Sequence, residues 1–169
     1  MTEQNQQPIK ADVVVKRIID APVALVWKAW TDPEYVKRWW GPSHYTSPSA
    51  EVDLREGGTF TFAMQAPPEQ GGARHYSTGV YKKIVDQKKL EFTQFLSDEQ
   101  GNKIDPTSVG MPPDFPEEIH TEITFHAIRP DMTELTIVER DWSMGQMAIY
   151  SELGLHQTIT KLADSLKSK

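Results

Sequence analysis

The spacing of apolar residues changes along the chain, and this change constrains the fold more than any other feature. Through most of the sequence, apolar side chains recur at every second position in short runs, as in strands with one buried face. From about Gly145 to the C-terminus the repeat becomes 3.6 residues, the period of an amphipathic α-helix. One stripe of this predicted helix carries Met144, Met147, Ser151, Leu155, Ile159, Leu162 and Leu166. The pattern predicts an α+β fold in which a C-terminal helix of about six turns packs on a sheet.

Turn residues divide the period-two part of the chain into six or seven strands. Residues 86–88 and 129–131 form short turns between neighbouring runs, which favours antiparallel pairing over parallel crossovers. The clearest run is 59–65, where Phe60, Phe62 and Met64 alternate with smaller residues. The predicted strands span 12–20, 44–54, 59–65, 75–85 and 89–96, followed by one with Ile119, Ile123 and Phe125 and one with Leu135 and Ile137.

Two short helices are predicted after the first strand. Pro22 suits the first turn of a helix that runs to Trp30, because the N–H that proline lacks has no partner there. Thr31 with Glu34 three residues later resembles a capping box, which predicts the start of the second helix. Gly41 followed by proline predicts its end.

Composition and charge exclude several classes of protein. The chain has 169 residues, enough for one domain, and we expect a polar N-terminal tail at 1–10 and a single domain at 11–169. Its net charge of -6 argues against nucleic-acid binding, which depends on Lys and Arg. It contains no cysteine, no apolar run approaching the ~20 residues of a membrane span, and no signal-peptide pattern at its start. A cytoplasmic location is the expectation.

The segment 98–118 interrupts the periodic pattern. It contains two glycines and four prolines, and loops longer than ~15 residues are uncommon inside compact domains. Met111 and Phe115 give the segment apolar side chains that could dock on the domain. A docked lid and a mobile insertion both remain open.

Several motifs resemble those of one family in order and spacing. They are Ala21-Pro22 to Trp27, Ala29 to Pro33, Arg38 to Pro42, Asp53 to Gly58, Gly79 to Tyr81, and Gly154 with His156-Gln157 and Lys161 to Ala163. Together they resemble the activator of heat-shock-protein-90 ATPase homologue-like family over residues 12 to 166. That family belongs to the START-like (SRPBCC) superfamily, so the resemblance implies a helix-grip fold. Many members have Trp after the glycine of the last helix, whereas this chain has Leu155.

The resemblance implies a function only in outline, and three hypotheses follow. The first is a module that binds an unidentified hydrophobic small molecule in a cavity between the sheet and the C-terminal helix. The second is a co-chaperone-like interaction module whose partner is a chaperone or, as a homodimer, a second copy of the chain. The third is a cyclase- or hydrolase-type enzyme, and it ranks last because no catalytic motif occurs. No cofactor is expected.

Ten residues are predicted to bind the ligand, and two more are candidates for a polar group in the cavity. The alternative for Trp39 and Trp40 is a place in the core, because aromatic residues at helical spacing are often buried there. Arg55 would hold a ligand carboxylate, or it would form an ion pair that fixes the turn after Asp53. Glu139 has the strand parity of Leu135 and Ile137, which predicts that it points inward; the alternatives are exposure to solvent or an ion pair with Arg55 or Arg140. The predicted ligand-binding set is Trp39, Trp40, Phe60, Phe62, Met64, Tyr81, Phe92, Phe125, Met147 and Tyr150.

The five histidines form no metal motif, because His120 and His126 on one strand face lie ~20 Å apart. A cavity is predicted beside the first half of the long helix, where Ser151 and Gly154 replace the larger residues of the second half. A mid-helix glycine costs ~1 kcal/mol, so Gly154 needs a reason: close packing against the sheet, or room for a ligand.

Overall fold

Seven strands and three α-helices make up the described part of the chain, which comprises residues 10–113, 115–143 and 146–167 of a computed structural model. Short 3₁₀ turns lie at Pro68–Gln70 and Pro106–Val109. The elements in chain order are β1 (Lys10–Ile19), α1 (Val23–Thr31), α2 (Pro33–Val36), β2 (Ala50–Val52), β3 (Thr59–Gln65), β4 (Arg74–Val85), β5 (Lys89–Ser97), β6 (Ile119–Arg129), β7 (Met132–Ser143) and α3 (Gln146–Lys167).

The strands form one antiparallel sheet in the order β1-β7-β6-β5-β4-β3-β2. From β2 to β7 each strand pairs with the next one in sequence, as the short turns predict. β1 closes the other edge by pairing with β7, with Val15 opposite Ile137. With α3 packed on the same sheet, this is the α+β helix-grip arrangement expected from the sequence.

The core lies between α3 and the face of the sheet that it covers. Ile159 and Leu162, one turn apart on α3, are fully buried. They belong to the same apolar cluster as Phe60, Phe62 and Leu90 from the sheet. The stripe predicted from the 3.6-residue period is therefore the buried face of the second half of the helix.

The cap of α2 differs from the predicted capping box. Asp32 is the N-cap residue, and its carboxylate accepts a hydrogen bond of 2.9 Å from the Glu34 amide. Thr31 is instead the last residue of α1, where its hydroxyl donates to the Trp27 carbonyl. Aspartate caps helices at least as well as threonine, which explains why the N-cap of α2 lies one residue later than predicted.

The predicted strand at 44–54 is wrong over most of its length. Only Ala50–Val52 is a strand, and Thr46 makes an isolated bridge to Gln65. Between them lies Pro48, which has no N–H to donate to a neighbouring strand. His44, at the start of the predicted run, has a positive φ of 72° that no regular strand adopts.

Candidate ligand cavity between the C-terminal helix and the sheet

A cavity of about 200 Å³ lies between the first half of α3 and the middle of the sheet. Ser151, Leu155 and Thr158 form its helix wall at successive turns. The sheet contributes Met64, Ser77, Gln94, Phe95, Leu96, Ile119 and Glu139. Helix α1 contributes Trp30, and the loop after α2 contributes Trp40, Gly41 and Pro42. The cavity lies where the contrast between small and large residues along the helix predicted it.

Gly154 is not a close-packing glycine. A Cβ atom placed on it would meet no atom within 4 Å. It does not line the cavity either, although its neighbours Ser151 and Leu155 do. The hydroxyl of Thr158 donates to the Gly154 carbonyl at 2.8 Å, so the backbone of Gly154 helps to orient a side chain that lines the cavity.

The segment between β5 and β6 is docked over the cavity rather than detached from the domain. The ring of Phe115 packs edge-to-face on Trp142, with the centroids 5.7 Å apart, and Phe115 and Pro116 line the cavity. An ion pair of 3.1 Å between Lys103 and Glu118 connects the two ends of the segment. Of the two alternatives that the sequence left open, the docked lid is the one observed.

Glu139 on β7 is the one carboxylate in the cavity wall among the described residues, and its side chain is buried. The hydroxyl of Ser151 donates to its Oε1 at 3.1 Å, and the amide of Gln94 donates to its Oε2 at 3.5 Å. Burial raises the pKa of Glu139 above its ordinary value, while the contacts with Ser151 and Trp142 oppose the rise. Desolvation is the larger effect, so this carboxyl is easier to protonate than one in water.

The local backbone explains why Glu139 and Trp142 both point inward although they are three residues apart. In a regular strand, residues at odd spacing face opposite sides. Here Asp141 has a positive φ of 62°, and the pairing of β1 with β7 slips between Ala11 and Val13. This irregularity turns the Trp142 ring into the interior, where its indole N–H is buried and has no hydrogen-bond partner of good geometry.

Neither arginine considered as a partner of Glu139 reaches it. Arg140 points to the opposite face, where it binds Asp12 at 2.9 Å and Glu122 at 2.7 Å. Arg55 is an exposed residue after β2 and pairs with Asp53 at 2.9 Å. Arg55 does not line the cavity. Its pairing with Asp53 therefore agrees with the alternative in which it forms an ion pair at the turn, and not with the one in which it holds a ligand carboxylate.

The predicted ligand-binding residues divide into three groups. Trp40 and Met64 line the cavity. Tyr150 does not, because 54% of it is exposed on the outer side of α3, and the side chain of Met147 lies outside the described residues. The other six are buried in the core and do not line this cavity: Trp39, Phe60, Phe62, Tyr81, Phe92 and Phe125.

These core aromatics leave no room for a ligand. Phe60 contacts the rings of Phe62, Tyr81 and Phe92 at centroid distances of 4.6 to 5.3 Å, and the rings of Tyr81 and Phe92 lie 6.3 Å apart. The space among them is about 10 Å³, barely enough for one water molecule. Burial raises the pKa of Tyr81 well beyond its ordinary range, with a smaller effect from Asp53, so its hydroxyl stays neutral. Strand parity predicted correctly that these rings point inward, but it could not show where the interior is filled.

Several residues in the wall were not predicted. Gln94 shares the parity of Leu90 and Phe92 on β5, and this signal could have identified it. Trp30 and Ser77 had no comparable signal, since their positions depend on how α1 and β4 pack in three dimensions.

Two other places could bind ions or molecules, and neither is as well formed. Glu91, His120 and Glu122 on the outer face of the sheet have side-chain ligand atoms within 4.8 Å of one another. However, Arg140 already contacts both oxygens of Glu122 and lowers its pKa. A wider depression of about 580 Å³ at the β4–β5 turn is walled mainly by exposed polar residues, such as Asp86 and His126.

Residues 20–167 match the family described as Activator of Hsp90 ATPase homolog 1-like protein. The chain belongs to this family. A comparison with curated proteins finds no match. Within the part of the chain that the structure describes, no helix has both the length and the apolar character needed to span a membrane.

Solved structures agree with the family and the fold. A protein of Nitrosomonas europaea is 28% identical, with 92% of this chain and 94% of that one covered and a TM-score of 0.69. A protein of Chromobacterium violaceum is 22% identical, covers 94% and 98% of the two chains, and has a TM-score of 0.74. An AHSA1 protein of Silicibacter pomeroyi is 18% identical, covers 93% and 98%, and has a TM-score of 0.72. The chain therefore has the START-like fold of this family.

The motif residues that carry the family resemblance build the frame around the cavity. The indole of Trp39 donates to the Ala29 carbonyl at 2.9 Å and so joins the end of α2 to α1. Gly79 lies directly beneath the ring of Phe60, and a Cβ atom there would overlap that ring. These motifs account for the fold, whereas the chemistry of the cavity depends on residues outside them, such as Glu139 and Gln94.

Proposed function

We propose that this protein binds a small hydrophobic molecule in the cavity between α3 and the sheet. The cavity itself is the observation that carries the proposal. Protein interiors are otherwise close-packed, so an unfilled volume beside a long helix is unusual. Its walls combine aromatic and aliphatic side chains with a few polar groups, the composition typical of ligand sites.

The size of the cavity limits the size of the ligand. A cavity of ~150 Å³ is large enough to bind benzene, and sites for drug-sized molecules usually reach ~300 Å³ or more. At about 200 Å³ the cavity suits a molecule of one or two rings better than a long-chain lipid. Movement of the docked segment around Phe115 would be needed to admit anything much larger.

Filling the cavity tests the proposal. Leu155→Trp adds ring atoms to the helix wall, and Leu153→Trp adds the same atoms on the exposed side of α3. Naphthalene, followed by its own fluorescence, should bind the wild type and the Leu153 variant and should lose most of its affinity for the Leu155 variant. Equal binding to all three proteins would mean that naphthalene binds at another surface.

A role in protein interaction is the second candidate, and one observation favours it. Ile149 and Leu153 lie one turn apart on α3 and are 65% and 56% exposed. Exposed apolar groups of this kind often belong to a contact surface, here with a second copy of the chain. Analytical ultracentrifugation distinguishes the candidates: a dimer abolished by Leu153→Glu supports interaction, and a monomer at high concentration contradicts it.

A further inference from the structure

The charges around the cavity are one-sided. Glu139 is the only ionisable side chain among the described residues that line it, and no Lys, Arg or His contributes to the wall. The same wall contains the rings of Trp30, Trp40 and Phe115. Lys161 lies behind the wall, where its ammonium group donates to the carbonyls of Gly41 and Pro42, and it does not line the cavity. An acidic group among aromatic rings, with no basic group in the lining, is an environment suited to a cation.

No described side chain supplies the missing positive charge. Val13 of β1 and Thr121 of β6 lie opposite Glu139 in the sheet, Gln94 of β5 and Ser151 of α3 donate to its oxygens, and Trp142 lies beside it on β7. None of these groups carries a charge. A buried carboxyl group without a counter-ion destabilises the fold when it is ionised. A positively charged ligand would supply that counter-ion and stabilise the ionised form.

We propose that the ligand is a one- or two-ring molecule that carries a protonated amine, with the Glu139 carboxylate as its counter-ion. This inference rests on the proposed binding function. Ser151 and Gln94 each donate to one oxygen of Glu139, so the ionised carboxylate already has two of the hydrogen bonds it needs. An ammonium group would add the remaining donors and the opposite charge. A ligand carboxylate would instead bring a second negative charge to Glu139.

Binding should release a proton under mildly acidic conditions. Burial raises the pKa of Glu139, so at a pH below that raised pKa the free protein holds a proton there. When the ammonium group enters, the O–H bond of Glu139 breaks, the electron pair stays on the carboxylate, and the proton passes to the buffer. The amine keeps the proton that it brought from solution, so charge and atoms balance.

Three ligands of equal size separate the charge from the shape: propylbenzene, 2-phenylethanol and 2-phenylethylamine. Isothermal titration calorimetry should find that the amine binds the wild type most tightly. Glu139→Gln should weaken the amine by roughly tenfold or more, because the ammonium group then loses its counter-ion. The affinity for propylbenzene should change by less than about threefold. Glu134→Gln removes a charge on the outer face of β7 and should leave all three affinities unchanged.

Repeating the wild-type titration at a series of pH values upward from about 4.5, in buffers of different ionisation enthalpy, measures the proton directly and needs no variant. Proton release with the amine but not with propylbenzene supports the proposal. If propylbenzene binds and the amine binds no better, or if the amine releases no proton, the cation proposal is overturned while the binding function stands. If none of the three ligands binds, the proposed function and this inference both fail.

Discussion

Glu139 is buried in an environment that opposes its ionisation, and this has a measurable consequence for stability. Its pKa is raised in the folded protein, so the folded state keeps a proton at pH values where the unfolded chain has lost it. The stability that depends on this group is therefore fully present below the unfolded pKa and is lost as the pH rises through the folded pKa.

The first prediction compares the wild type with Glu139→Gln, which cannot ionise. The free energy of unfolding of the wild type should fall relative to the variant as the pH rises from about 4.5. The fall should be about 1.4 kcal/mol for each pH unit between the unfolded and folded pKa values, and it should then level off. Urea denaturation at a series of pH values measures it. Parallel curves for the two proteins would show that the carboxyl is not desolvated.

Gly154 is the residue with the clearest unused potential for stabilisation. It lies inside α3, and its missing Cβ would contact nothing within 4 Å. Gly154→Ala should raise the free energy of unfolding by about 1 kcal/mol, because alanine has the higher helix propensity and the lower unfolded-state entropy. Gly41→Ala is the opposite control, since Gly41 has a φ of 100° that alanine resists. A destabilised Gly154→Ala variant would restore the close-packing explanation.

At the scale of elements, α3 is a helix with two different functions along its length. Its second half is a core element with Ile159 and Leu162 fully buried, while its first half borders the cavity. The ammonium group of Lys161 on α3 donates to the carbonyls of Gly41, Pro42 and Tyr45 at 2.9 to 3.3 Å. These hydrogen bonds hold the loop after α2 against the helix, and that loop supplies three residues of the cavity wall: Trp40, Gly41 and Pro42.

Leu162→Ala tests the core half of α3. The side chain is fully buried beside Ile159, so its removal should lower the free energy of unfolding by about 2–5 kcal/mol. Leu153→Ala on the exposed side of the same helix should change it by less than about 0.5 kcal/mol. Chemical denaturation measures both values. Similar small losses in the two variants would mean that the buried stripe is misplaced.

The sequence predicted elements well where period alone decides them. β3 has the predicted bounds of 59–65, and α3 begins within a residue or two of the predicted start. The strand predicted at 44–54 failed because Pro48 interrupts the pairing, which was readable in the sequence. The docking of Phe115 on Trp142 was not readable, because it depends on a contact between residues of two different elements.

The same division applies to the cavity. Strand parity with Leu135 and Ile137 gave the inward direction of Glu139, but its partners Ser151 and Gln94 come from other elements. Apart from the exposed Tyr150, the aromatic residues predicted to bind the ligand are buried in the core or line the cavity. The sequence could not show that their rings fill one half of the interior and leave the other half open, since that depends on how the volumes of many side chains add up.

For the whole molecule, binding in the cavity should appear as resistance to thermal unfolding. A ligand that binds only the folded state, at a concentration of 100 times its dissociation constant, stabilises a protein by ~2.7 kcal/mol. For a chain of this length, that corresponds to an increase in Tm of roughly 5–10 °C. Naphthalene, present well above its measured dissociation constant, should produce such an increase in the wild type when unfolding is followed by circular dichroism.

The Leu155→Trp variant supplies the decisive comparison, because its cavity is filled while the exposed surface of the protein stays the same. Its Tm should not respond to naphthalene, whereas that of Leu153→Trp should rise as in the wild type. An equal increase in Tm for all three proteins would mean that naphthalene binds outside the cavity. No increase in any of them, at a concentration where the dye is bound, would mean that it binds the unfolded chain as well as the folded one. Only a difference between the two tryptophan variants connects the gain in stability to the space between α3 and the sheet.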